Sequence, residues 1–213
     1  MATKVCYPNN GSEDGGWLAS SAVSWAAALA ITNPGNTGGG SGAKVGAYKG
    51  GGIWYIYTAV VRFDTDLAGG ELTGAVLSYY GETDNTTTDF TIEARKHPGL
   101  TMYGSTIGGA SYVAQANWGD MPLCATFATS GLSVSAYNDF TNEAGFLAQI
   151  NTAGITELML VSSRVRAGTE PTDTVWERAD LFGSFGTVYD PMLTLTYTPA
   201  SPRFIASGRN RIW

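Results

Sequence analysis

The chain has 213 residues, 44% of them hydrophobic, only 14% charged, and a formal net charge of −6. That is core material for one large all-β domain, and it is too apolar for a disordered chain. All 18 acids precede Pro199 and leave that part of the chain at −9, which argues against a surface that tracks a phosphate backbone.

The start, MATKVCYPNN, has no hydrophobic run, so neither a secretory signal nor a membrane span is expected. Residues 9–16 read as a polar turn. Residues 17–31, WLASSAVSWAAALAI, read as a helix by alanine content or as two short strands broken at Ser20–Ser21. NPGNTGGGSG at 33–42 reads as a flexible loop, and 1–52 as an N-terminal arm containing it. IWYIYTAVVRF at 53–63 is dense in β-branched and aromatic residues and reads as a strand covered on both faces. LTGAVLSYY at 72–80 is the next strand, GETDNTTTD a polar turn, and FTIEAR at 90–95 an alternating strand. Residues 98–120 are glycine-rich and irregular.

Strands are expected around Leu123–Ala128 and Leu132–Ala136. The helix is expected over 141–153, TNEAGFLAQINTA, with Thr141 as cap, Phe146, Leu147 and Ile150 at helical spacing, and Gly154 as stop. TELMLVSS at 156–163 and MLTLTYT at 192–198 read as strands, RAGTEPTD as a turn, and DLFGSFGTVYDP as a loop or short edge strand. The pattern predicts an all-β fold: a jelly-roll-like antiparallel β-sandwich with one short helix, spanning 1–198, followed by an extension at 199–213.

Catalytic patterns are absent. His97, the single histidine, reads as a surface residue in a turn before Pro98. Cys6 and Cys124 lack metal-ligand spacing, and free thiols or one disulfide are both open. No G-x-S-x-G elbow is present. Asp64, Asp66, Glu82, Asp84, Glu93 and Glu177 are acids in a β-rich frame, but sequence spacing does not pair them across a cleft. DTD at 64–66 and ETD at 82–84 lack the ligand pattern of a calcium loop, so ordinary turns are favoured over a structural calcium, and no cofactor or metal is expected. GGGSG at 38–42 lacks the lysine of a phosphate loop.

Trp118 in QANWGD and Trp176 in TVWERAD lie in polar segments and are the candidates for a glycan platform, since exposed rings stack on sugar faces. Core or edge packing is the competing reading for each. The tail, PASPRFIASGRNRIW, has three arginines and no acid. Its Arg203, Phe204, Ile205, Arg209, Arg211, Ile212 and Trp213 are the residue types of an interface anchor, and they are the candidates for partner binding.

Several segments carry a family resemblance: VRFDTD at 61–66, ELTGAVLSYY at 71–80, TNEAGFLAQINTAGITELMLVSSR at 141–164, GTEPTD at 168–173 and DPMLTLTYT at 190–198. Over roughly residues 50–198 the chain resembles the DNRLRE-like β-sandwich domains of bacterial surface proteins and phage virion proteins. The name-giving motif is absent, and WERAD at 176–180 stands where the family shows acidic or serine residues. The resemblance implies a jelly-roll-like domain for structure, adhesion or glycan contact, with no catalytic set to carry over. The expectation is a non-enzymatic phage virion structural protein, a capsid decoration or tail component made in the host cytoplasm without a signal peptide. Its partners would be copies of itself or a capsid or tail protein. A carbohydrate-binding or host-adhesion module is the alternative.

Overall fold

Ile53–Asp64 is one unbroken strand in the computed structural model, which describes residues 1–8, 14–36, 42–100, 102–103, 106–107, 112–183 and 188–201. In chain order the strands are β1 Ala2–Cys6, β2 Asp14–Ser21, β3 Gly35–Asn36, β4 Ala43–Gly50, β5 Ile53–Asp64, β6 Glu71–Thr86, β7 Thr91–Lys96 and β8 Met102–Tyr103. They continue as β9 Thr106–Ile107, β10 Leu123–Ala128, β11 Tyr137–Asp139, β12 Thr141–Asn142, β13 Ile155–Ser162, β14 Trp176–Leu181 and β15 Met192–Thr198. Among the described residues three short α-helices interrupt them: α1 Trp25–Leu29, α2 Phe146–Gln149 and α3 Ser163–Arg166.

The strands pair antiparallel along the path β1-β15-β6-β14-β4-β5-β13-β7-β10-β12, with β2 also against β5 and β11 against β6. The path doubles back on itself as a β-sandwich. Leu193 and Leu195 of β15, Leu77 and Tyr79 of β6, Ala179 and Leu181 of β14, and Val45 of β4 share one buried cluster with residues of the opposite layer. Those are Ala59, Val61 and Phe63 of β5, Leu158 and Leu160 of β13, Ile92 and Ala94 of β7, and Ala125 of β10. Period-two alternation sends the intervening residues to the other side of that second layer. There Ile56, Val60, Met159 and Val161 pack with Trp17, Trp25, Trp118 and Val165 under α1, α3 and the 3-10 turn Gln115–Asp120. A layer buried on both faces explains why 53–63 and 156–163 read as nearly continuous apolar runs.

β6 is the hinge of the architecture. Its first part pairs with β15, and beyond Gly81 it pairs with β14. A side chain at Gly81 would sit 2.4 Å from the Ser133 carbonyl oxygen, so only glycine lets the chain pass there. The GETDNTTTD segment, expected to turn, therefore continues the strand to Thr86. β14 was hidden for a different reason: its polar residues are paired. Glu177 is buried and receives Arg164 Nε at 2.9 Å and Nη2 at 3.2 Å, and Arg178 pairs with Asp180. Glu93 on β7 likewise sits between Arg95 and Arg166, each donating at 2.8 Å, and Arg95 also donates to the Met121 carbonyl oxygen at 2.7 Å. These pairs bolt α3 to the sheet.

Other expectations are corrected. Only Phe146–Gln149 of 141–153 is helical; Gly145, at φ 90°, turns the chain just before it, and Thr141 belongs to β12 instead of capping. The ambiguous 17–31 segment divides into β2 and α1, the latter capped by Ser24, whose hydroxyl accepts from Ala27 N at 3.0 Å. Residues 132–136 form no strand; the chain there makes a single bridge, Val134 to Gly81, before β11. His97 is buried, 2% exposed, its ring stacked on Trp17 with centroids 6.2 Å apart.

Cys6 and Cys124 are both buried and unpaired. Burial pushes both thiols up, Cys124 to about 11. Because the unfolded thiol ionises near 9, stability tied to Cys124 is complete below that pH and is lost as pH rises towards 11. The guanidinium unfolding midpoint is expected to fall over that interval, less so in Cys124→Ala, and native protein at pH 8 is expected to resist a disulfide thiol reagent until unfolded.

Candidate functional site

Odd-numbered residues of β5 line the inter-layer core at Ala59, Val61 and Phe63, but at Tyr55 and Tyr57 the same row emerges half-exposed. Register then lines up a cross-strand ladder. Tyr55 of β5 lies opposite Tyr48 of β4, which lies opposite Trp176 of β14. The Tyr48 and Trp176 rings are nearly parallel, 12° apart, with centroids at 3.8 Å; Tyr48 and Tyr55 stack at 6.0 Å. One step along, Arg178 faces Gly46 and Gly46 faces Tyr57. Lacking a side chain, Gly46 leaves Arg178 free to lie over Tyr57 at 5.0 Å as well as over Trp176 at 4.3 Å. Asp180 holds the guanidinium from the far side, accepting from Nη2 at 2.7 Å. Burial raises the Tyr57 phenol above its usual range, against the lowering influence of Arg178.

Trp176 also walls an open hollow of about 300 Å³ with Asp84, Asn85, Thr86 and Thr87. The hollow is rigid at its base: Thr87 N donates to Trp176 O at 3.1 Å, and Asp84 accepts from Thr86 N at 2.9 Å and from the Thr86 hydroxyl. A carboxylate, an amide and two hydroxyls beside an indole are the groups that meet a polyol: hydrogen-bonding partners around an apolar wall.

The two tryptophan candidates part company here. Trp118 is 0% exposed, its Nε1 donating to Val113 O at 2.7 Å inside the second core cluster, so it offers no ring to a sugar. Its polar neighbours in QANWGD are the exposed side of the 3-10 turn that buries it. Trp176 is half-exposed, but Tyr48 stacks on one of its faces and Arg178 also lies over the ring, so it is the indole edge that is open. The tail residues Arg203, Phe204, Ile205, Arg209, Arg211, Ile212 and Trp213 lie outside the described residues. Tyr48, Tyr55 and Arg178 were missed as a unit; the i, i+2 tyrosines at 55 and 57 were the available signal, but their partner strands β4 and β14 were not foreseen.

Asp64 ends β5 and Asp66 lies in the turn after it, accepting from Asp66 N at 3.1 Å and Ala68 N at 2.8 Å respectively. Among the described residues no group of three or more His, Cys, Asp and Glu side chains is placed to hold a metal ion, and no helix is long and apolar enough to cross a membrane.

No protein-family model matches the chain, and no curated protein matches it. Among solved structures it is similar to a carbohydrate-binding module of the β-sandwich superfamily at 7% identity and a TM-score of 0.25, covering 93% of this chain and 55% of that one. The chain thus spans about half the length of that structure.

Proposed function

We propose that the chain is a non-enzymatic recognition module that contacts carbohydrate at the hollow beside Trp176. The observation that carries this reading is the indole set against Asp84, Asn85, Thr86 and Thr87 at the end of the β6–β14 ladder, whose hydrogen bonds already fix the strands. Binding there needs no cofactor. The mechanism is contact of a pyranose with the exposed edge of the indole, whose faces Tyr48 and Arg178 hold, with the polar groups orienting the ring hydroxyls. Tyr48 and Arg178 hold the indole in place, which lowers the ordering cost of binding.

The test is titration of the full chain with neutral oligosaccharides, followed by tryptophan fluorescence and calorimetry. Trp176→Ala is expected to weaken binding roughly tenfold or more, and Asn85→Ala by less, with both variants still folded by circular dichroism. Equal affinity in Trp176→Ala would sink the site.

A second reading, a structural protein of a phage particle, is favoured by a different observation. The outer side of β1, β15 and β6 bears exposed Val5, Tyr7 and Val76, an apolar surface suited to contact with a capsid or tail protein. Failure of every glycan to bind, together with recovery of the chain among the proteins of purified virions, moves the reading there.

A further inference from the structure

β1 is an edge strand: among the described residues it pairs with β15 alone, from Ala2–Tyr197 to Cys6–Leu193, without a register shift. Among the described residues no strand pairs with its other edge. Proteins usually blunt such an edge with proline, a bulge, a projecting lysine or a covering element. ATKVC has no proline and no bulge. Its one lysine is drawn away, Lys4 Nζ donating to Asp66 O at 2.8 Å and lying 3.7 Å from Asp64 Oδ1.

Two cross-strand rows beside that edge carry no charged side chain. The cross-strand rows Val5–Thr194–Val76 and Thr3–Thr196–Gly74 consist of β-branched residues and glycine, and Val5 and Tyr7 are 43% and 49% exposed. On a chain of net charge −6, most approaches of two copies are repulsive, and this face is a place where they are not.

We propose that a second copy of this chain occupies the edge, β1 pairing antiparallel with its counterpart about a two-fold axis. Such a contact is self-complementary, since each copy brings the same edge and the same exposed Thr3 and Val5. It also closes on itself: the pairing consumes both free β1 edges and gives a dimer, not a filament. Five residues a side is small beside the roughly 800 Å² per partner of a standard interface, so the dimer is a weak one that dissociates on dilution.

Sedimentation velocity on the full chain, from about 1 µM to about 500 µM, tests this, with hydrogen exchange of the β1 amides as the local readout. The expected result is a concentration-dependent dimer whose formation slows exchange in Ala2–Cys6. Val5→Lys and Thr3→Lys, both at exposed positions, are expected to leave the melting temperature within a few degrees while keeping the chain monomeric throughout. A wild-type monomer at all concentrations overturns the proposal. So does a dimer that survives the double lysine variant. A dimer abolished instead by Phe204→Ser with Trp213→Ser, in a full chain with β1 intact, also overturns it and assigns the contact to the tail.

Discussion

Glu93→Gln is expected to lower unfolding stability by about 3–5 kcal/mol, which a denaturant titration reads as a large drop in midpoint at unchanged slope. The carboxylate is buried and accepts from both Arg95 and Arg166. Glutamine is nearly isosteric, yet it removes the charge that balances two guanidinium groups and turns one acceptor oxygen into a donor facing them. The cost falls mainly on Arg95, itself buried, whose charge loses its carboxylate partner although its bond to Met121 O remains. Arg166→Gln is expected to cost far less, since that side chain is 35% exposed and water replaces its partner. Replacing Glu93 and Arg95 together by leucine and methionine is expected to cost less than Glu93→Gln alone, because no buried charge is then orphaned within the pair. If the single and double variants are equally unstable, packing and not charge balance holds this corner.

Gly46→Ala is the second large effect. Gly46 has φ 134°, a conformation that side chains rarely adopt, and an added methyl would fall 2.0 Å from the Glu177 carbonyl oxygen and 2.8 Å from Arg178 Cα. Neither atom belongs to a flexible side chain, so β4 and β14 must separate. Strain plus overpacking predicts a loss of about 3–5 kcal/mol. The signature distinguishes this from a generic core defect: the Tyr48–Trp176 stack straddles the same strand pair, so near-ultraviolet circular dichroism from the ladder is expected to collapse before the inter-layer core melts. A native-like aromatic signal in Gly46→Ala would show that β4 shifts without opening the pair.

The β-sandwich was legible because its central strands bury both faces. Val60, Val61, Met159 and Leu160 must all be apolar, and the run around each admits few other readings. β15 was legible to its end for a related reason: alternation of leucine and threonine matches one buried and one open face. β14 was not legible, because Glu177, Arg178 and Asp180 look like loop residues until Arg164 and the aromatic ladder supply their partners from distant sequence. The same physics separated the tryptophans. Local polarity put Trp118 and Trp176 on a par; burial of one and half-exposure of the other depend on which strand or turn backs each ring. The short α2 shows the limit of helical spacing: Phe146 and Ile150 are buried at i and i+4, yet the turn at Gly145 and the β12 pairing of Thr141 leave room for a single turn between them.

Pairing of β1 with β15 sets an order of events during synthesis. β1 is made long before β15, its only partner among the described residues. At about 5–20 residues per second, it waits on the order of 10–40 s before that partner exists. Through that interval both edges of β1 are open, and Val5 and Cys6, one facing solvent and one facing the core in the finished fold, are equally accessible. Closure of the sandwich at this edge is therefore a late step. Conditions that crowd nascent chains, such as strong overexpression, are the ones in which β1 of one chain meets β15 of another and the strand is exchanged between molecules.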